Sequence, residues 1–207
     1  MKTLILLLLC VCSFYSFGQD ERFYRSMFNG VLSKKNEFTP YKVKVFSPKY
    51  MIDLNRDGIK ESFQTVKKDG IDFIRLNNSF GELIFEASLF TKGSNSSIYK
   101  ANFFNVKENV DVLVLHFYEG ENSSATFEAS GRLYFITILN QDMRTASLTR
   151  GPYFWHERER AAGKYWNRKY TVNFVDYNND GTREISVSFN DISRIYYYTK
   201  NGVWKTI

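Results

Sequence analysis

Apolar and polar positions alternate along most of this chain, and the period of the alternation changes near its start. From Asp20 to Lys35 the apolar residues Phe23, Met27, Phe28, Val31 and Leu32 recur at three- and four-residue spacing, which predicts one short amphipathic helix over 19–35. Lys34-Lys35-Asn36 breaks that period, and 41–46 alternates with period two, as a half-buried strand does. Residues 62–66, 71–76 and 82–89 then read as strands. They are separated by Lys67-Lys68-Asp69-Gly70 and Asn77-Asn78-Ser79-Phe80-Gly81, residue types that form tight turns. Next come 98–104 and 110–118, the second apolar at odd and even positions alike, which is the pattern of a strand covered on both faces. Glu119 to Ser124 reads as a turn and 132–139 as part of a hairpin; 169–175, 185–189, 192–199 and 203–207 complete the set. Short strands punctuated by Gly, Asn and Asp, in a chain that is 17% aromatic, predict an all-β fold of antiparallel meanders. Compact propeller-like blades are the expected arrangement, with a β-sandwich as the alternative and the one short N-terminal helix outside the sheets.

One pattern occurs twice. Asp53-Leu54-Asn55-Arg56-Asp57-Gly58-Ile59-Lys60-Glu61 returns as Asp176-Tyr177-Asn178-Asn179-Asp180-Gly181-Thr182-Arg183-Glu184, and both read D-x-N-x-D-G-x-x-E. Oxygen-bearing side chains at positions 1, 3 and 5, followed by a Gly that permits a sharp turn, are what a hard cation asks of a short loop. Calcium is the natural occupant, in two sites. The expected ligands are Asp53, Asn55, Asp57, Ile59 through its carbonyl, and Glu61; in the second copy they are Asp176, Asn178, Asp180, Thr182 through its carbonyl, and Glu184. Asn and Asp are also common turn residues. Repetition at every informative position, and three carboxylates per loop whose repulsion a divalent cation would relieve, favour a metal over a bare turn.

These loops are not EF-hands, because that motif closes with a bidentate Glu at position 12, where this chain has Gln64 and Val187. They resemble instead the calcium loops of FG-GAP and VCBS-type repeats, in which D-x-[ND]-x-D-G-x-x-[DE] leads into a strand of a propeller-like blade. The resemblance covers the loops and their flanking strands. It implies a first calcium-loop unit over 41–90 and a second over 164–207, on either side of a middle meander over 97–150. No low-complexity linker divides 19–207, which is read as one β-rich domain.

The N-terminus changes the picture of where the protein works. Lys2, an apolar run over 4–11, and small residues at Ser16 and Gly18 form the pattern of a signal peptide over 1–18, cut before Gln19. The run is too short to span a bilayer comfortably. Leu9 and Val11 precede the two cysteines, Cys10 and Cys12, and lipidation would want a small residue there, so a lipoprotein is not expected. The mature chain would contain no cysteine, so no disulfide can hold it, and a periplasmic or secreted bacterial protein is the expectation. The formal charge of +6 suits anionic surfaces as well as simple solubility. An exported chain rarely meets nucleic acid.

Two further stretches carry histidine among aromatic or apolar neighbours. His116 alternates with Val112, Val114 and Tyr118, as a core histidine would. Gly151-Pro152-Tyr153-Phe154-Trp155-His156-Glu157-Arg158 is aromatic and then charged. A zincin needs a second His four residues on, where Arg160 stands, so an aromatic loop or helical turn is expected here. Trp155, Tyr165 and Trp166 could form a ledge that stacks on a sugar ring or a peptide. These observations together predict a monomeric, calcium-stabilised, non-catalytic binding or adhesion module of the bacterial envelope. Its partner would be an envelope or extracellular glycan, peptide or anionic polymer, and it would not be transmembrane once the signal is cleaved. An envelope hydrolase is one alternative, although every evident carboxylate pair lies in a metal loop. A basic module docking on anionic polymer or lipid is the other.

Overall fold

The computed structural model describes residues 49–91, 95–122, 127–159, 165–199 and 202–206, which belong to one compact unit. The predicted signal segment 1–18, helix 19–35 and strand 41–46 lie outside the described residues. Thirteen strands run in order: β1 Tyr50–Ile52, β2 Glu61–Lys68, β3 Ile71–Asn77, β4 Leu83–Ser88, β5 Asn95–Lys107, β6 Val110–Asn122, β7 Phe127–Leu139, β8 Asp142–Glu159, β9 Tyr165–Lys169, β10 Thr171–Val175, β11 Glu184–Phe189, β12 Ile192–Tyr198 and β13 Trp204–Thr206. They form three antiparallel meanders: β1 to β4, β5 to β9, and β10 to β13, each in chain order. Among the described residues no helix is long and apolar enough to cross a membrane.

The middle sheet is buried on both sides, and period two explains how. Leu113, Leu115 and Phe117 of β6 and Tyr134, Ile136 and Ile138 of β7 share a core with Leu54, Phe63, Ile74, Leu76 and Leu89 of the first sheet. The alternate residues face the other way. Phe135 packs against Tyr196 and Trp204 of the last sheet, with ring centroids 6.1 and 5.3 Å apart, and Trp204 donates from Nε1 to Thr137 Oγ1 at 3.3 Å. Phe104 meets Phe174 at 4.4 Å on the same side. A strand apolar at every position is thus one with a sheet on each face. Three meanders stacked in chain order have the packing of neighbouring propeller blades rather than that of a two-sheet sandwich.

Two expectations about strand boundaries are corrected. Glu119–Asn122, expected as a turn, continues β6, and the stretch 151–159, expected as a loop or helical turn, is the second half of the 18-residue β8. Register shifts in the β7–β8 pair around Arg132 and Tyr134 mark bulges that admit Pro152, which cannot donate to a ladder. Gly151 fills the remaining constraint, since a Cβ there would stand 2.9 Å from the Leu133 carbonyl and 2.8 Å from the Phe135 ring. β9 pairs with β8, so 165–169 belongs to the middle sheet rather than to the second calcium-loop unit.

Candidate metal loops and a cavity of the middle sheet

Each acidic loop joins the first and second strands of an outer sheet, between β1 and β2 and between β10 and β11. Most of their hydrogen bonds repeat, the exception being the Asp180 amide, which also donates to Asp176 Oδ1 at 3.2 Å with no counterpart in the first loop. The amide at position 5 donates to the Asn at position 3, at 3.1 Å for Asp57 to Asn55 and 3.1 Å for Asp180 to Asn178. The amide at position 7 donates to position 5, at 2.7 Å in both loops, from Ile59 to Asp57 and from Thr182 to Asp180. These are Asx turns, the local folding preference of Asn and Asp. The Gly at position 6 donates to position 1, Gly58 to Asp53 at 3.0 Å and Gly181 to Asp176 at 2.9 Å. Both glycines need φ near +80° to +90°, where a Cβ is disfavoured: Gly58 has +87° and Gly181 +81°. Position 4 is also left-handed, at 60° for Arg56 and 56° for Asn179.

Glu61 and Glu184 are each 1% exposed, and their Oε2 atoms accept the position-2 amides of Leu54 at 2.7 Å and Tyr177 at 2.8 Å. The last carboxylate therefore folds back and closes the loop. Hydrogen bonds from the Thr182 amide and then from Asn178 hold the Asp180 carboxyl below the usual carboxylate range.

The second loop gathers its carboxylates more closely than the first. Ligand oxygens of Asp176, Asp180 and Glu184 lie within 4.8 Å of one another. Oxygens on a shell of about 2.3–2.6 Å radius are at most about 5 Å apart, so one ion could serve all three. The carboxylates of the first loop are not gathered within that span, but Asp53 Oδ1 is buried and accepts no hydrogen bond, an acceptor that a cation would satisfy. The carbonyls of Ile59 and Thr182 occupy the equivalent position 7, and Asn55 and Asn178 position 3.

The two loops also meet the same hairpin of the middle sheet. Arg56 Nη2 donates to Asp111 Oδ1 at 2.6 Å, and Asn105 Nδ2 donates to that same oxygen at 3.1 Å. From the other outer sheet, the Arg183 amide donates to the Val106 carbonyl at 2.9 Å and its Nη1 to the Asn105 carbonyl at 3.3 Å. Asn105 thus touches both attachments. Nothing in the sequence marks that residue out; only the pairing of β5 with β6 brings it beside Asp111.

The aromatic ledge is only partly assembled. Trp155 is 3% exposed and cannot offer its ring to a ligand, because the bulge in the β7–β8 pair makes both Phe154 and Trp155 buried side chains. Trp166 is 48% exposed and lines a cavity of about 680 Å3 with His156, Arg158 and Arg168. The side chain of Tyr165 lies outside the described set. His156 stands 4.5 Å from the Tyr153 ring, and burial, aided by Arg168 and Arg132, lowers its pKa and favours the neutral imidazole. His116 is a core residue, 7% exposed and edge-on to Phe154 at 4.9 Å, with a pKa lowered by burial to about 4. Compared with models of known protein families, with curated proteins and with solved structures, the chain shows no match.

Proposed function

We propose that the chain is an exported, non-catalytic binding module of the bacterial envelope, of FG-GAP or VCBS type, whose two acidic loops are stapled by calcium. The observation that carries this reading is the repetition of the loop: two distant segments with the same five informative residues share four backbone-to-side-chain hydrogen bonds, and each closes on a buried Glu at position 9. An ordinary hairpin turn constrains neither its side-chain hydrogen bonds nor a carboxylate eight residues after its first so closely. Asp176, Asn178, Asp180, Glu184 and the Thr182 carbonyl would hold one ion, and their counterparts from Asp53 to Glu61 the other. A bound divalent cation would offset two of the three negative charges in each loop and join the ends of two strands. The signal-like segment 1–18 supports export to where millimolar calcium is available, and because both cysteines lie within that segment a bound cation rather than a disulfide would be the staple of the mature chain.

The test is thermal unfolding of the mature chain in a chelator and at rising calcium. Stabilisation should follow RT ln(1 + [L]/Kd), about 2.7 kcal/mol for one site at a hundredfold excess over Kd. A melting curve that is the same in chelator and in millimolar calcium would overturn the proposal.

A further inference from the structure

A second groove, of about 490 Å3, opens between the middle and last sheets and shares His156 and Arg168 with the cavity at Trp166. Four arginines line it: Arg132 of β7, Arg150 of β8, Arg168 of β9 and Arg194 of β12. No carboxylate lines it, and none of the four makes an ion pair among the described residues. Elsewhere in the molecule Arg56, Arg75 and Arg158 each have an acidic partner. The basic excess of the chain is therefore left uncompensated at this place.

The four cations are arranged rather than scattered. Arg132 is fixed by donating from Nη1 to the Gly151 carbonyl at 2.7 Å and by lying 3.6 Å above the Tyr153 ring, while its Nε has no acceptor. Arg132 and Arg194 both act on the Tyr196 hydroxyl, Arg132 and Arg168 both on His156, and Arg132 and Arg150 both on Tyr134. Arg132 is thus the hub of the group. Glu119 feels Arg132 and Arg150 but is itself pushed toward the neutral form by burial, and Glu128 and Glu157 line the cavity at Trp166 rather than this groove. Like charges held together cost free energy unless a counter-charge enters, and guanidinium forks match carboxylate and sulfate oxygens two at a time. The rings of Tyr170, Phe189 and Tyr196 line the same groove and supply flat apolar faces.

We infer that this groove is the ligand site of the module and that it takes an acidic oligosaccharide, with carboxylate or sulfate groups on the arginines and sugar rings against the aromatic faces. The assignment of a glycan rests on the reading of the chain as an exported binding module. An anionic glycan is the polymer that joins spaced acidic groups to stackable rings outside the cell, and the groove is of a size for a short stretch of one.

Calorimetric titration at about 0.15 M salt tests it, where diffuse charge attraction is largely screened. The probes are a galacturonate hexasaccharide, a heparin-derived hexasaccharide, maltohexaose and a six-residue oligodeoxythymidylate, each with calcium and with chelator. At least one acidic sugar should bind, and maltohexaose should bind about tenfold more weakly or not at all. The double variant Arg150→Ala/Arg194→Ala removes two exposed cations; it should lose about tenfold in affinity while its melting temperature stays within about 2 °C. Equal binding of maltohexaose, tighter binding of the oligonucleotide, unchanged affinity of the double variant, or no binding of either acidic sugar each overturns the inference. Failure here with calcium still raising the melting temperature leaves the metal loops standing. Acidic-sugar binding with calcium-indifferent melting does the reverse.

Discussion

The two acidic loops share all but one of their internal hydrogen bonds, the Asp180 amide alone reaching a second oxygen of position 1, and are held in the molecule by different means. At position 2 the first loop has Leu54, fully buried in the core beneath the first sheet, whereas the second has Tyr177, 44% exposed and tethered by its hydroxyl to Ser186 at 2.6 Å. At position 4 the first loop has Arg56, paired with the buried Asp111, whereas the second has Asn179. The first is anchored by packing and an ion pair, and its carboxylates stay apart. The second lacks the apolar anchor, and its carboxylates converge within 4.8 Å. The same motif can therefore serve two energetic roles, and the loop with less packing is the one whose shape is set by its own charged groups. Calcium should matter more to the last sheet than to the first.

The largest expected break in that contrast is Leu54→Ala. Removing a fully buried Leu from a core costs about 2–5 kcal/mol, so denaturant unfolding should show a lowered midpoint with an unchanged slope. Tyr177→Ala at the matching position should cost about 0.5–1.5 kcal/mol, the worth of one hydrogen bond. Equal losses would mean that position 2 anchors both loops alike. Next in size is the metal. If calcium gives about 2.7 kcal/mol per site at a hundredfold excess over Kd, Asp180→Ala should erase more of the gain than Asp57→Ala. The reverse order, read from melting curves with and without chelator, would assign the stronger site to the packed loop. Third is Arg56→Ala, which leaves Asp111 buried with Asn105 as its remaining side-chain donor and should cost about 1–3 kcal/mol. Asn105→Ala removes the Nδ2 donations to Asp111 and to the Lys107 and Val110 carbonyls but keeps the main-chain carbonyl that receives Arg183, so its loss, about 1–3 kcal/mol, should fall on the attachment of the first loop and leave that of the second.

Strand identity was legible where period and turn chemistry agreed. The 71–76 and 185–189 segments, the double-faced β6 and both acidic loops appear where alternation and Asx-Gly punctuation put them. What could not be read was anything that depended on pairing. Gly151-Pro152 has the composition of a break, yet a bulge carries β8 through it, and the shift of face that follows buried Trp155 and dismantled the predicted ledge. The arginine groove could not be read from the sequence, since the 18-residue spacing of Arg132, Arg150 and Arg168 places them together only once β7, β8 and β9 pair, and Arg194 joins them only when the last sheet meets the middle one. Asn105 was hidden for the same reason. Local preferences set the loops and the strands, while the sites between sheets are products of register.

The smallest expected effect isolates the part of the second loop's stability that belongs to its own charge. The Asp180 carboxyl is held below its ordinary range, first by the Thr182 amide and then by Asn178. A group whose pKa is lower folded than unfolded takes up protons more readily when the chain unfolds. Its contribution is therefore full above the unfolded value of about 3.9 and fades as pH falls through that value toward the folded one. Asp180→Asn keeps an oxygen for the Thr182 amide but removes the titrating charge. In chelator, the melting temperature of the wild type should exceed that of Asp180→Asn near neutral pH, and the gap should close as the solution is taken from pH 5 down to about pH 3. Because the side chain is fully solvated the gap will be small, so differential scanning on paired samples is the suitable measurement. A gap that stays constant across that range would show that the loop is held by the geometry of its hydrogen bonds and not by the carboxylate, and the contrast with the packed first loop would lose its electrostatic half.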